Sequence, residues 1–268
     1  MIREVRIHNF KCFNQIILEM KNVNILTGIN GMGKSTIIQS LLLLRQSYLK
    51  YNNMNGLYLN GRYVELGNAQ DVLYEKAQEE IIGLGYRTDT VKHYFEYQYT
   101  ADSDFLPISN GEQGELSSEI VDNHFSYLSA YRIEPKALYR ITNEEDINNR
   151  EFGNNGEFAL QYLKLYGNED IENKAVVIED KLGETLSNQT RVWMDKISPG
   201  VSPNIILDTQ LRTSEVRYEF VEGKIKTNSY KSVNVGFGIT YVLPLIVAIL
   251  SAKRGDLIIM ENPEAHIH

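Results

Sequence analysis

The chain is nearly devoid of cysteine. Cys12 is its only one, so no internal disulfide and no Cys-x-x-Cys metal framework can form. That usage predicts a reducing, cytoplasmic setting. Long apolar runs are missing too. The longest, Ile239 to Ala252, is too short to span a bilayer and contains Pro244, so it reads as a buried helix and implies no membrane partner. The first residues do not form a signal peptide, because Ile2-Arg3-Glu4-Val5-Arg6-Ile7 alternates like a strand. A basic excess is also lacking. The net charge of −8 disfavours a protein that coats nucleic acid nonspecifically, while leaving room for a local basic groove formed in a dimer. The acids are spread along the chain rather than gathered in a tail. There is no internal repeat and no low-complexity tract. With 43% hydrophobic and 23% charged residues, the composition is that of a globular protein, and 268 residues suit one large domain or two small ones.

Against this background one stretch stands out. Gly28-Ile29-Asn30-Gly31-Met32-Gly33-Lys34-Ser35-Thr36 fits the phosphate-binding pattern G-x-x-x-x-G-K-[ST]. Glycines let backbone N–H groups turn inward around an anion. Lys34 adds a mobile positive charge for the β- and γ-phosphates, and the Ser35 hydroxyl can ligate Mg²⁺. Val23 to Thr27, short and β-branched, reads as a buried strand before the loop. Ser35 to Tyr51, free of Pro and Gly, reads as a helix whose positive end faces the same phosphates.

The rest of the chain reads as follows. Arg3–Ile7, Gln15–Met20 and Val23–Thr27 are three strands. Asn9-Phe10-Lys11-Cys12-Phe13 lies between the first two, with the phenylalanines expected in packing and Lys11 lacking an obvious structural role. Asn60-Gly61 signals a hairpin between Gly56–Leu59 and Arg62–Gly67. Glu80–Tyr86 and His93–Thr100 form an antiparallel pair, and Asp102–Ser118 is a loop. Phe125–Arg132 is a buried strand. A polar segment, Thr142–Gly156, precedes helices at about 157–166 and 172–196, the second carrying Trp193 as a core anchor. Glu215–Val221 and Lys224–Asn228 form a hairpin around Glu222-Gly223.

A second constellation lies near the C-terminus. Leu257-Ile258-Ile259-Met260 is continuously apolar, as a central parallel strand requires. It ends in Glu261-Asn262-Pro263-Glu264. An acid at the end of such a strand holds Mg²⁺ in nucleotide hydrolases, and the next position often activates water. Glu261 fits the first role. Asn262 fills the second, where an amide can orient water but cannot take its proton. Glu264 is the nearest substitute carboxylate. Upstream, Ser232-Val233-Asn234-Val235-Gly236-Phe237-Gly238 opens onto the apolar helix, a second anion-binding device. One triphosphate needs one such device, so the second loop suits a nucleotide held by another copy.

These residues together resemble the ABC-type ATPase heads of the RecF/SMC and overcoming-lysogenisation-defect group, bacterial AAA-labelled ATPases distinct from true AAA+ proteins. Ile7 to Phe13 is similar to the opening "NFK-x-F" element, and Asn24 to Thr36 to the Walker A run. Asn234 to Gly238 stands at the signature loop, and Ile258 to His268 at a Walker B and D-loop run of the form "E-N-P-E-x-H-x-H". Tyr127-Leu128-Ser129-Ala130 and Gly156-Glu157-Phe158 point to a subgroup found beside defence or DNA-processing genes.

The resemblance implies an α/β P-loop NTPase fold: one ABC-ATPase-like head over residues 1–268 with an antiparallel β lobe and a helical insertion. Its parts are 1–141, with Walker A and the lobe; 142–230, with the insertion and hairpin; and 231–268, with the signature loop, helix and Walker B strand. ATP and Mg²⁺ are the implied cofactors. Asn30, Gly31, Gly33, Lys34, Ser35 and Thr36 would bind phosphates, with Asn9 and Lys11 touching the nucleotide. Gln70 is the candidate Q-loop glutamine and, with Ser35 and Glu261, a Mg²⁺ ligand. Asn234, Gly236 and Gly238 would meet the γ-phosphate across a dimer, and Glu261, Asn262 and Glu264 form the catalytic group. The signature departs from the usual Ser-Gly-Gly core. The sequence stops at His268, where the D-loop begins, and neither His266 nor His268 takes the place of the family's switch histidine. The implied partners are a second copy, forming a homodimer or higher oligomer at the ATP seam, a nuclease or toxin effector, and DNA. The implied role is an ATPase that gates such a partner in anti-phage defence or DNA maintenance. A sensor with little hydrolysis and a RecF-like repair ATPase are the competing readings.

Overall fold

A computed structural model describes residues 1–111, 116, 118–121, 125–149, 152–179, 181–222 and 225–266. The chain divides into two units, residues 1–122 and 123–268.

In the first unit β1 (Ile2–Phe10), β2 (Phe13–Glu19), α1 (Lys34–Tyr51), β3 (Gly56–Tyr58), α2 (Ala69–Val72), β4 (Ile81–Thr88), β5 (Lys92–Gln98), β6 (Phe105–Asn110) and α3 (Ser118–Val121) follow in order. The six strands form one antiparallel sheet in the order β2-β1-β4-β5-β6-β3. Alternation drives this sheet. Val5 and Ile7 of β1, Ile82, Leu84 and Tyr86 of β4, and Phe95 and Tyr97 of β5 are buried. The expected pair of 80–86 with 93–100 forms in register, from Ile81 opposite Gln98 to Arg87 opposite Lys92. The apolar run Leu41-Leu42-Leu43-Leu44 anchors α1, and each fully buried leucine contributes about 1.5–3 kcal/mol.

Three expectations need correction here. Val23–Thr27 is not a buried strand: it lies outside any strand, with Val23 and Ile25 each 79% exposed. The Asn24 side chain accepts from the Lys21 N–H at 2.9 Å and donates to the Lys21 carbonyl at 2.7 Å. Such local side-chain bonds compete with strand pairing. The Asn60-Gly61 turn forms but stays short: Asn60 bridges Glu65, the Gly61 N–H donates to the Val64 carbonyl at 2.9 Å and the Leu66 N–H to the Leu59 carbonyl at 3.0 Å, while β3 pairs with β6. Gln46 of α1 braces it. Its amide donates to the Tyr58 carbonyl at 2.8 Å and accepts from the Val64 N–H at 3.1 Å, tying both arms to the helix. Finally, β6 crosses part of the expected 102–118 loop; residues 112–115 and 117 of that loop lie outside the described residues.

The second unit contains β7 (Phe125–Leu128), β8 (Tyr139–Arg140), α4 (Glu144–Asn148), α5 (Ala159–Tyr166), α6 (Leu186–Ile197), β9 (Val201–Asp208), β10 (Thr213–Glu222), β11 (Ile225–Lys226), β12 (Tyr230–Lys231), α7 (Phe237–Leu250) and β13 (Leu257–Met260). β7 and β13 pair in parallel, from Leu257 opposite Phe125 to Met260 opposite Leu128. α5, α6, α7, β9 and β10 enclose a core that includes Leu160, Leu163, Met194, Val216, Tyr218, Leu243 and Val247.

The expected helix over 172–196 starts only at Leu186, after the Thr185 hydroxyl cap on Asn188. The segment before it runs irregularly because Gln189 accepts from the Ile178 N–H and donates to the Ile178 carbonyl, both at 2.8 Å. Trp193 is partly buried against the core and donates to the Val176 carbonyl at 2.8 Å. The expected strand to Arg132 ends at Leu128. β10 does pair with β11, but its long partner is β9; Gly223 of the expected turn is outside the described residues.

Candidate functional site

In the first unit the β1–β2 turn and the glycine-rich loop are brought side by side. Asn9 and Lys11 take left-handed φ values of 48° and 52°. Main-chain bonds fix the turn: the Lys11 N–H donates to the Val72 carbonyl at 2.7 Å, and the Tyr74 N–H to the Asn9 carbonyl at 3.1 Å. The Asn9 side chain is buried and donates to the Glu79 carbonyl at 3.4 Å, while its Oδ1 has no partner among the described residues. The Lys11 ammonium donates to Gln39 Oε1 on α1 at 3.0 Å. Burial pushes its pKa down.

Gly33 caps α1 with φ 88°, a left-handed value that glycine adopts without steric cost. It must also be small. A Cβ placed there would lie 2.5 Å from Phe13 Cζ and 2.6 Å from Cys12 Sγ. Gly31, at φ 84°, meets no such neighbour. The first helical bond of α1 runs from the Ile37 N–H to the Gly33 carbonyl at 3.2 Å. The amides of Lys34, Ser35 and Thr36 precede it, and the first turn has neither an acidic residue nor a side-chain cap. Lys34 Nζ folds back onto the loop, donating to the Gly28 carbonyl at 2.5 Å and the Ile29 carbonyl at 3.0 Å. Asn30, Gly31 and Ser35 are exposed, and Thr36 is buried. Amides at a positive helix end and an ammonium can donate to phosphate oxygens, the Ser35 hydroxyl oxygen can ligate Mg²⁺, and no acid stands in the first turn of α1. Gln70 is an exposed residue of α2, its N–H bound to the Ala101 carbonyl at 3.1 Å.

In the second unit Glu261 follows β13, and its N–H extends the ladder to the Leu128 carbonyl at 2.9 Å. Its carboxylate is half-sheltered. Tyr127 Oη donates to Oε2 at 3.2 Å and the Ala130 N–H to the same atom at 3.4 Å. Burial, and then the neighbouring Glu261 charge, push the Tyr127 pKa up, so its hydroxyl remains a donor. Asn262 has φ 44°, and Asn262 and Glu264 are both exposed. Tyr127, part of a motif the resemblance marks, and Arg132, read as the end of an apolar strand, were not among the expected site residues, yet both contact the Glu261 region.

The signature loop forms a 3₁₀ turn, Ser232–Asn234, before Gly236 caps α7. Asn234 and Gly236 are exposed. Gly238 is not free in the same way. A Cβ there would stand 2.1 Å from the His266 carbonyl oxygen, so the turn after Glu264 rests on the first turn of α7. The His266 ring lies 4.9 Å from Phe237 and 4.8 Å from Tyr241. His268 is outside the described residues. Among the described residues, no group of three His, Cys, Asp or Glu side chains could hold a metal, and no helix is long and apolar enough to cross a membrane.

A family model described as an AAA ATPase domain matches residues 1–185. Among solved structures, one described as the recombination mediator protein RecF with ATP, from the RecFOR pathway, is similar at 17% identity and a TM-score of 0.42, covering 98% of this chain and 86% of that one. The curated proteins contain no match.

Proposed function

The chain belongs to the AAA ATPase domain family, and from that premise we propose that it binds ATP on the Gly28–Thr36 loop and hydrolyses it with Mg²⁺. The observation that carries this reading is the N-terminus of α1, where a glycine cap, an acid-free first turn and the Lys34 ammonium meet at one exposed loop. When bound, the nucleotide supplies the scissile phosphoanhydride and Mg²⁺ neutralises its oxygens. Lys34 would exchange its carbonyl partners for phosphate oxygens. Ser35 would offer its hydroxyl to the metal, and Thr36 would steady the helix start from its buried position. By the resemblance alone, Gln70 and Glu261 would be further metal ligands. Glu264 is the carboxylate left to take a proton, with Asn262 orienting water.

The conformational part of the proposal is closure of two copies, with Asn234, Gly236 and Gly238 of one facing the nucleotide of the other. Differential affinity for ATP between open and closed pairs would turn binding into a signal that gates a partner. A nuclease or toxin effector, or DNA, in anti-phage defence or DNA maintenance, is the role the resemblance supports. Light scattering with a slowly hydrolysed ATP analogue tests closure: pairing should appear with nucleotide, and single copies in both conditions would refute it.

A second reading, a nucleotide sensor with little turnover, is favoured by Asn262. It stands in left-handed backbone at the position expected of a general base. Phosphate release by wild type and Asn262→Glu separates the two readings: turnover confined to the variant supports the sensor.

A further inference from the structure

Arg132 is one of the few charged residues sunk into the second unit, at 4% exposure. Among the described residues its guanidinium hydrogen-bonds main-chain carbonyls rather than a carboxylate, although the Glu264 and Glu261 charges act on it. Nη2 donates to the Glu261 carbonyl at 2.7 Å and to the Asn262 carbonyl at 2.6 Å, and Nη1 donates to the Asn262 carbonyl at 3.3 Å. These are consecutive carbonyls of the main chain as it leaves β13 and enters left-handed backbone. The guanidinium carbon lies 4.7 Å from the centre of the Tyr241 ring. The Tyr241 hydroxyl accepts from the Arg132 N–H at 3.2 Å and donates to the Ala130 carbonyl. The loop presenting Arg132 is fixed independently. The Ser129 N–H donates to the Asn154 carbonyl at 2.8 Å, the Ile133 N–H to the Asn155 carbonyl at 2.9 Å, and Ser129 Oγ to Asn155 Oδ1 at 3.0 Å.

A buried cation is a poor stabiliser, since an apolar side chain of similar volume often packs as well or better. Here the guanidinium holds two successive carbonyls in one orientation, with Nη2 bonding both and Nη1 adding a second bond to the Asn262 carbonyl. Those carbonyls flank the Cα of Asn262 and follow that of Glu261, so their direction fixes where the Glu261 carboxylate emerges. The same carboxylate is met by Ala130 N–H, from the loop that carries Arg132.

We propose that Arg132 is a positioning residue: it locks the Glu261–Asn262 main chain, and Tyr241 ties that lock to the first turns of α7. This deepens the ATPase reading and rests on it for its kinetic consequence. Arg132 touches no reacting atom. It acts through Glu261, so its loss should lower turnover while leaving the phosphate loop of the first unit intact.

The test compares full-length wild type with Arg132→Lys and Arg132→Met by two measurements. In nucleotide-free protein, hydrogen exchange of peptides covering 257–266 should quicken about tenfold in Arg132→Met and less in Arg132→Lys, with the β1–β4 peptides unchanged. In steady-state hydrolysis, kcat should fall about 10- to 100-fold, the usual scale for groups that orient a ligating carboxylate. KM for ATP and affinity for a fluorescent ATP analogue should stay within about twofold. A lysine ammonium standing where Nη2 stands could donate to both carbonyls but would lose the Nη1 bond, so it should keep part of the lock. If the methionine variant does not fold, Arg132→Gln, whose shorter side chain ends before the two carbonyls, decides both measurements. Unchanged exchange over 257–266 overturns the positioning role. Altered exchange with unchanged kcat overturns its link to catalysis. Should wild type bind ATP analogue no better than Lys34→Ala and release no phosphate, the ATPase reading itself fails, and exchange alone judges the lock.

Discussion

Cys12 Sγ stands 3.7 Å from Thr36 Oγ1, which places the one thiol of the chain against the first turn of α1. The residue is exposed, so it can be reached by reagents. N-ethylmaleimide on Cys12 should crowd Gly33 and Thr36 and weaken ATP-analogue binding. Prior addition of Mg-ATP should slow labelling. Equal labelling rates with and without nucleotide would argue that the loop does not hold the phosphates.

Gly33 and Gly31 differ in a measurable way. Both have positive φ, so alanine at either costs about 1 kcal/mol or more in backbone strain. Only at Gly33 does the new methyl also meet Phe13 and Cys12. Urea unfolding should find Gly33→Ala less stable than Gly31→Ala by a further 1–2 kcal/mol or so. Equal stabilities would mean that the β1–β2 turn does not pack on the loop.

Asn262→Glu carries a structural cost separate from its catalytic effect. At φ 44° asparagine is tolerated better than glutamate, and the exchange should destabilise the protein by about 1 kcal/mol. Thermal unfolding should register this as a small drop in Tm. A rise in Tm would place the backbone of residue 262 elsewhere.

Acid stability should depend on Glu4. The Arg6 guanidinium hydrogen-bonded to it, with Arg87 at 3.7 Å, holds its carboxyl below the ordinary glutamate range. In the unfolded chain this carboxyl takes up its proton first as the pH falls. Stability is therefore present above the ordinary glutamate pKa and is lost as the pH drops through the lower, folded value. Unfolding midpoints for wild type and Glu4→Gln, taken from about pH 6 down to about pH 3, should converge toward the acid end. A constant gap would rule out this linkage.

Much of this was legible because it is local. α1 could be read from a run without glycine or proline, and β4 and β5 from alternation. The glycine-capped start of α1 after the loop could be read because Gly33 and the run that follows it are local signals. What escaped was decided by distant partners. Val23–Thr27 has the composition of a strand, but no strand takes it up among the described residues, and a strand cannot form on propensity alone. Gln46 braces the Asn60-Gly61 turn from more than ten residues away, and β3 takes β6 as its strand partner. Arg132 looked like the polar end of an apolar run, and its use of the Glu261 and Asn262 carbonyls spans 129 residues or more. Composition carries no trace of such a contact.

The most direct measurement is calorimetric titration of the intact protein with Mg-ATP beside Lys34→Ala. Among the described residues the Lys34 ammonium bonds only to the Gly28 and Ile29 carbonyls, both on an exposed loop that water can solvate, so its removal should leave the fold unchanged. Saturable heat from wild type and none from the variant, at equal Tm, is the outcome this account predicts. No uptake by wild type at millimolar nucleotide would contradict it.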